Sequence, residues 1–174
     1  MTRDKRTLLL TATLLLCGAV LLKWWYRSAT LEDLAFVLRP VSGLVSLFTG
    51  EAYLYRPQEG YLFPGLRILI DRSCSGINFM VIATATFALL VVRRTDGGCA
   101  RPLLALLTAF GAYALTIGAN AGRILFMVWS QRMGLHLAPT AHEAVGAAFF
   151  LIALLLASLL LRHLLARTTP VLPA

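Results

Sequence analysis

Apolar residues fall in four long runs along the chain, and shorter segments between them hold most of the charged and turn-forming residues. The runs cover about residues 8–26, 77–92, 103–119 and 144–161. A helix that crosses the roughly 30 Å hydrocarbon core of a bilayer needs about 20 residues. The pattern therefore predicts an all-α, polytopic integral membrane protein with about four transmembrane helices.

The region between the first two runs has a different pattern. Residues 31–49 are apolar but contain Arg39, Pro40 and Gly43, so they predict an interfacial or re-entrant helix better than a clean span. Residues 50–72 alternate aromatic residues with Gly and Pro, which is typical of a loop or a small hairpin. We expect this segment to be a short extracytoplasmic loop or hairpin.

These segments suggest one membrane-embedded domain that covers residues 1–174. Within it we predict a signal-anchor helix at 7–26, the interfacial helix and extracytoplasmic loop at 27–76, and a helical core with the active site at 77–161. "KWWYR" closes the first run with interfacial aromatic and basic residues, and no small-residue cleavage site follows it.

Composition excludes a soluble domain, because 59% of the residues are hydrophobic, 14% are charged and the mean hydropathy is +0.77. The net charge of +8 comes from basic residues that lie mainly between the apolar runs. That placement indicates membrane topology and contact with the lipid bilayer, and it does not favour a nucleic-acid partner. The positive clusters predict cytoplasmic termini and place 27–76 outside.

Three reactive side chains are predicted to meet at the outer membrane boundary. Cys74 stands directly before the second run, crowded by charged and polar neighbours. About 20 helical residues rise about 30 Å, which carries Arg123 from the inner start of the third run to the same outer level. His142 opens the fourth run from that side. Each also has a structural interpretation, in which the cysteine packs, the arginine snorkels and the histidine bonds to the backbone.

The chemistry of this trio is coherent. A cysteine attacks as a thiolate, which a nearby cation favours, and a histidine exchanges protons near pH 7. An arginine stays charged and donates up to five hydrogen bonds. A nucleophile, an acid/base and an oxyanion stabiliser are the groups that acyl transfer requires. Asn120, one turn before Arg123, could orient the arginine or the substrate.

The ordered pieces "CSGIN", "NAGRI" and "HEAVG", each beside a hydrophobic run, resemble the exosortase/archaeosortase family of membrane cysteine transpeptidases. The chain looks like a compact, exosortase K-like member. The resemblance implies partners that are membrane-anchored proteins with a C-terminal sorting motif such as Pro-Glu-Pro, a transmembrane helix and a basic tail. The enzyme would cleave near the motif and transfer the new C-terminus to an unknown acceptor.

The resemblance also implies roles for single residues. Cys74 would form the acyl-enzyme, His142 would protonate the leaving amine and then activate the acceptor, and Arg123 would stabilise the thiolate or the oxyanion. Ser75, Gly76 and Asn120 would shape the site. The implied location is a bacterial inner membrane, with the active site on the extracytoplasmic face.

Loop 50–72 could read the sorting motif in extended form. Arg56, Arg67 and Arg72 would suit an acidic residue there, or they are simply solvated loop charges.

Two other function classes stay open. A membrane thiol could transfer a lipid acyl chain, which makes a thiol acyltransferase. A small transporter or assembly subunit could instead use Arg123 and His142 in a polar path. The sequence shows no cofactor signature and no tight metal-ligand spacing, so we expect neither a cofactor nor a metal.

Overall fold

A computed structural model describes residues 3–92, 101–135 and 139–168. Within its helices, the side chains at 3–9, 11–12, 15–16, 19, 92, 101–106, 139–142 and 167–168 lie outside this description. Five helices carry the fold: α1 (Arg3–Ser28), α2 (Ala35–Thr49), α3 (Ile77–Val92), α4 (Arg101–Arg132) and α5 (Pro139–Thr168). Three strands follow α2, namely β1 (Leu54–Arg56), β2 (Gly60–Phe63) and β3 (Ile68–Ile70).

Helices α3, α4 and α5 pack against one another, and α1 contacts α3. Two described segments are long and apolar enough to cross a membrane, Arg72–Val91 and Glu143–Ala166, with mean hydropathies of 1.9 and 2.7. Leucines along α5 such as Leu151, Leu156 and Leu160 are well exposed, which suits contact with lipid. The mostly helical, membrane-spanning architecture is confirmed, and the count of four spans stays a prediction.

Helix α4 is longer than the predicted third run, which ended at residue 119. It continues to Arg132, and no proline interrupts the residues after Asn120. The small residues Ala119 and Ala121 are buried inside the packed helices, where they permit close approach. By contrast, α3 covers the same residues as the predicted second run.

Helix α2 is amphipathic and lies where the sequence predicted a helix. One face is buried, with Val37, Leu38, Val41 and Val45 packed against α4 and the strands. The Tyr113 hydroxyl of α4 donates a 2.6 Å hydrogen bond to the Phe36 carbonyl at the start of α2. Gly50, with φ of 72°, ends the helix in the left-handed conformation. Whether α2 is interfacial or re-entrant stays a prediction.

The predicted loop or hairpin is a three-stranded antiparallel sheet in the order β1-β2-β3. This sheet is an addition to the all-α fold expected from the sequence. It forms because Phe63 and Ile70 point into the core shared with α2 and α4, where both are almost fully buried. Leu69 alternates with Ile70 along β3 and stays exposed, as does Leu54, which shares its face through the register Leu54–Leu62–Leu69.

Candidate active site

The site is built on a short 3₁₀ turn, Arg72–Ser75, which leads directly into α3. The Asp71 carboxylate caps this turn by accepting hydrogen bonds from the Ser73 amide at 2.9 Å and the Ser73 hydroxyl at 2.6 Å. The Cys74 amide donates to the Asp71 carbonyl at 3.0 Å. Polar residues before the apolar run thus fold into a capped turn, which holds Cys74 half-buried at the head of α3.

Gly76 ends the turn in the left-handed conformation, with a φ of +63°, which favours glycine. A Cβ at this position would collide with the Nδ2 of Asn120 and would lie 3.2 Å from the Thr116 methyl group. The absence of a side chain therefore lets the Cys74 turn lie directly on α4. This close approach fixes the height of Cys74 relative to Arg123, which follows Asn120 by one turn.

Arg72 and Ser75 hold the turn against the end of α1. The Arg72 guanidinium donates hydrogen bonds to the carbonyls of Tyr26 and Arg27, and it lies 4.8 Å from the centre of the Tyr26 ring. The Tyr26 hydroxyl donates to the Arg72 carbonyl at 3.1 Å and accepts from the Ser75 hydroxyl at 3.3 Å. These two residues thus position Cys74 through α1, and neither lines the cavity beside the thiol.

Arg123 lies between α4 and α5. Its Cδ and Nη1 would be 3.4 and 3.5 Å from a Cβ at Gly146, so the arginine packs on the glycine backbone. Its guanidinium carbon is 5.5 Å from the centre of the Phe150 ring, within the range of a cation–π contact. Among the described residues no carboxylate forms an ion pair with Arg123, so its charge is available to a ligand.

Cys74 and Arg123 line one cavity of about 150 Å³. Strand β3 forms one wall of this cavity through Ile68, Leu69 and Ile70, and α4 forms the other. The α4 wall is mostly apolar, with Gln131 as its further polar residue. The fold thus joins a thiol and a cation that are 49 positions apart in the sequence, counting from 74 to 123.

The third predicted residue, His142, has its backbone in the first turn of α5, and its side chain lies outside the described residues. Position 142 is four residues before Gly146, so the two positions share a face of α5. Since Gly146 packs on Arg123, this backbone placement puts position 142 about one turn from the arginine.

Asn120 is fully buried, and neither polar atom of its carboxamide has a hydrogen-bond partner among the described residues. Its predicted role was to orient Arg123 or the substrate. In the structure its side chain packs under Gly76, beside the Cys74 turn. A buried carboxamide without a hydrogen-bond partner lowers the free energy of unfolding by about 1–3 kcal/mol, so Asn120 destabilises the fold next to the thiol.

Sequence reasoning gave loop 50–72 a role in reading the motif, but it did not predict that β3 forms a wall of the Cys74 cavity, and it missed Tyr26. A signal for β3 was present, because "RILI" is a short β-prone run that ends four residues before Cys74. Tyr26 gave no local signal, since its contacts with residues 72 and 75 join distant parts of the chain.

The sequence of this chain was compared with models of known protein families. The family model of transmembrane exosortases (exosortase EpsH) matches residues 57–159, which is more than half of the chain. The chain belongs to the transmembrane exosortase family. The matched segment contains β3, Cys74, Arg123 and His142, and it begins after α1 and α2. No curated protein and no solved structure matches this exosortase.

Proposed function

We propose that this exosortase is a membrane cysteine peptidase and transpeptidase that acts on C-terminal sorting signals at the extracytoplasmic face of a bacterial inner membrane. The observation that carries the proposal is the cavity that Cys74 and Arg123 share at the head of an apolar span. The substrate would be a secreted protein held by its own C-terminal helix, with a motif before that helix and a basic tail after it. The K-like subtype belongs to this proposal.

In the proposed reaction, the Cys74 thiolate attacks the carbonyl carbon of the scissile peptide, and the resulting oxyanion is stabilised by the Arg123 guanidinium. The C–N bond then breaks, and His142 donates a proton to the leaving amine. This leaves a thioester between Cys74 and the new C-terminus. His142 next removes a proton from the acceptor nucleophile, whose attack on the thioester expels the Cys74 thiolate and releases the product. His142 is then protonated again for the next cycle.

The surroundings of the two described groups support this chemistry. The walls of the cavity are largely apolar, and a low-dielectric site strengthens the interaction between a guanidinium and a developing oxyanion. Arg123 also has no competing carboxylate among the described residues. The cation is therefore available for charge that appears during the reaction.

The alternative of lipid acyl transfer has less support. An apolar groove of about 420 Å³ could hold an acyl chain, but it is lined by the far end of α3, at Phe87 and Val91, together with α4 and α5. Ten helical residues separate Ile77 from Phe87, a rise of about 15 Å. The groove and the thiol thus occupy opposite ends of α3, whereas a thiol acyltransferase needs them together.

The test is a membrane-anchored reporter coexpressed with the enzyme, built from a C-terminal segment of the same genome that carries a motif, a helix and a basic tail. Intact mass measures cleavage by the wild type and by Cys74→Ala, Arg123→Gln and His142→Ala. We expect cleavage to be lost with Cys74→Ala and to fall by at least about 100-fold with the other two. The product mass distinguishes hydrolysis from transfer to an acceptor.

Matched controls come from the same chain. Cys17→Ala removes an exposed cysteine of α1, and Arg132→Gln removes the arginine at the end of α4, so both should cleave like the wild type. Cleavage that survives Cys74→Ala would reject the nucleophile and favour a non-enzymatic transporter or assembly subunit. A fatty thioester on Cys74, in place of a peptide thioester, would favour the acyltransferase.

A further inference from the structure

Strand β3 is the edge of its sheet on the side of the active-site cavity. It pairs with β2 through Tyr61–Ile70, Leu62–Leu69 and Phe63–Ile68, and no further strand adjoins it in the described parts of the chain. No backbone hydrogen bond runs from residues 68–70 to another described segment on the open side. Alternate residues of β3 therefore present N–H and C=O groups to that side, where an extended chain could pair with them.

This open edge lies beside the nucleophile. All three residues of β3 line the cavity that contains Cys74 and Arg123. A cavity of about 150 Å³ holds one group the size of benzene, so it accepts one substrate side chain and not a whole segment. The remaining residues of a bound polypeptide must therefore lie outside the cavity, and the β3 edge leads directly to it.

Arg67 comes immediately before β3 and is unusual in two respects. Its φ is 54°, and it is the only non-glycine residue with positive φ in the described ranges. A residue with a Cβ pays about 1 kcal/mol or more for this conformation. Its exposed side chain makes no hydrogen bond, ion pair or ring contact with the described residues.

The two other loop arginines that could read an acidic group are already engaged. Arg56 pairs with Glu59 at 2.8 Å, and Arg72 donates to the carbonyls at the end of α1. Arg67 is thus the free cation of the loop within the described structure. Arg67 is the turn residue directly before Ile68, the first residue of β3 that lines the cavity, so it lies at the end of the β3 wall away from Ile70.

We propose that the substrate binds as an additional β-strand on the open edge of β3, and that Arg67 selects an acidic side chain in this extended segment. The inference rests on the proposed function, because it takes a polypeptide as the ligand of the Cys74 cavity. Backbone pairing supplies sequence-independent affinity in such complexes, whereas individual side-chain contacts supply specificity. One side chain enters the cavity, and the acidic residue lies at the Arg67 end of the β3 edge.

The test uses the full chain in detergent micelles with Cys17→Ser and Cys99→Ser, so that Cys74 is the remaining thiol. A short peptide of valine and threonine with one glutamate carries an activated disulfide and is tethered to Cys74. Hydrogen exchange of residues 68–70 is then compared with that of 54–56, because β1 is the opposite edge of the same sheet. A tether without the peptide is the blank.

We expect exchange in 68–70 to slow by about fivefold or more with the peptide, the effect of roughly one hydrogen bond, and exchange in 54–56 to stay the same. When the peptide amides are N-methylated one at a time, every second substitution should abolish the protection of 68–70. The reason is that only alternate residues of a strand form hydrogen bonds with the same neighbour. Unchanged exchange in 68–70, equal protection of both edges, or failure of the peptide to reach Cys74 would overturn the proposal.

The charge selection has its own comparison. Replacing the peptide glutamate with glutamine should reduce the protection in the parent chain, and it should make no difference in Arg67→Gln. Arg56→Gln is the matched control and should keep the preference for glutamate. A preference that disappears with Arg56→Gln and survives Arg67→Gln would contradict the role of Arg67. No step of this experiment needs turnover, so its failure is distinguishable from an inactive reporter assay.

Discussion

The two ends of the α3–α5 bundle are packed in different ways. At the Cys74 end, thirteen buried apolar residues form one cluster, with members from the segment that follows α1 and from α2, the sheet, α3 and α4. At the Phe87 end, the described cluster has three buried residues, Ala83, Phe87 and Ala112, beside the apolar groove. The Cys74 end thus has an internal core of its own, whereas the Phe87 end leaves much apolar surface for lipid.

This difference indicates where the protein needs rigidity. A catalytic thiol and its cation must be held within about half an ångström of their working positions, which requires locked side chains around them. Between helices in a bilayer, lipid tails replace protein contacts at little cost, because the tails are as apolar as leucine. In the proposed mechanism, the sheet and α2 would thus hold the Cys74 end rigid, whereas the Phe87 end would only have to span the bilayer.

Large core truncations should separate the two ends most strongly. Phe63→Ala, at a fully buried position of the Cys74 end, should reduce the free energy of unfolding by about 3–5 kcal/mol and lower cleavage. Phe87→Ala should cost about 1–2 kcal/mol and leave cleavage intact, because lipid chains can fill the space beside the existing groove. Thermal unfolding in lipid nanodiscs, together with reporter cleavage, measures both. An equal loss in the free energy of unfolding for the two variants would contradict the difference in packing between the two ends.

Glycine substitutions provide the next largest contrast. Gly76→Ala should destabilise the protein by about 2–4 kcal/mol and abolish cleavage, because it combines a strained φ with a collision against Asn120. Gly111→Ala, at the Phe87 end, should be neutral or stabilising, since its Cβ would meet the Phe87 ring at an ordinary 3.8 Å.

Two controls sharpen the glycine experiment. Gly134→Ala has a φ of +76° and no atom within 4 Å, so it isolates the backbone strain at about 1 kcal/mol. Adding Asn120→Ala to Gly76→Ala should recover part of the lost stability, because it removes the colliding amide. A Gly76→Ala protein as stable as Gly134→Ala would show that the turn does not press on α4.

Unpaired buried polar groups should behave differently at the two ends. Asn120→Leu should raise the free energy of unfolding by about 1 kcal/mol, because it removes an unsatisfied carboxamide, yet it should reduce cleavage if that amide orients the site. Ser158→Ala removes an unpaired hydroxyl on α5, among the residues of the Phe87 end, and should leave cleavage unchanged. A loss of stability with Asn120→Leu would reveal a bonding partner for the amide.

The smallest expected effect concerns the contact between the Cys74 turn and α1. Tyr26→Phe removes a hydroxyl that bonds to the Arg72 carbonyl and the Ser75 hydroxyl, which should cost about 1 kcal/mol. Cleavage should fall a few-fold, because the turn loses one of its supports and the ring contact with Arg72 remains. Unfolding in nanodiscs and initial rates of reporter cleavage measure this, and a rate equal to the wild type would restrict Tyr26 to stability.

The helices could be predicted from the sequence because their signals are local. The run at 77–92 is bounded by Gly76 and by two arginines, and α3 has the same limits. The end of α4 was harder to predict, because Asn120 and Arg123 interrupt the apolar run, which resumes at 124–129, and the helix continues to Arg132. Likewise, a sequence pattern shows that residues 54–70 favour strands, but pairing and edge position depend on the packing of Phe63 and Ile70 against α2 and α4.

In the candidate site, too, some features could be predicted from the sequence and others could not. Cys74 and Arg123 could be selected from their chemistry and their predicted depth, and the structure brings them to one cavity. The engagement of Arg72 and Ser75 with α1 could not be foreseen, because it depends on contacts across more than 40 residues. The predicted position of His142 rests on helix geometry, since its side chain lies outside the described residues.

The central claim is that Cys74 becomes acylated by a peptide substrate. Its most direct test is the mass of the Cys74-containing fragment after rapid acid quenching of the enzyme with its reporter. The account predicts a hydroxylamine-sensitive adduct with the mass of the reporter segment that precedes the scissile bond and ends at the new C-terminus. This adduct should be present in the wild type, and it should accumulate in His142→Ala if acceptor activation becomes slower than acylation. Reporter cleavage at the wild-type rate by Cys74→Ala would contradict it.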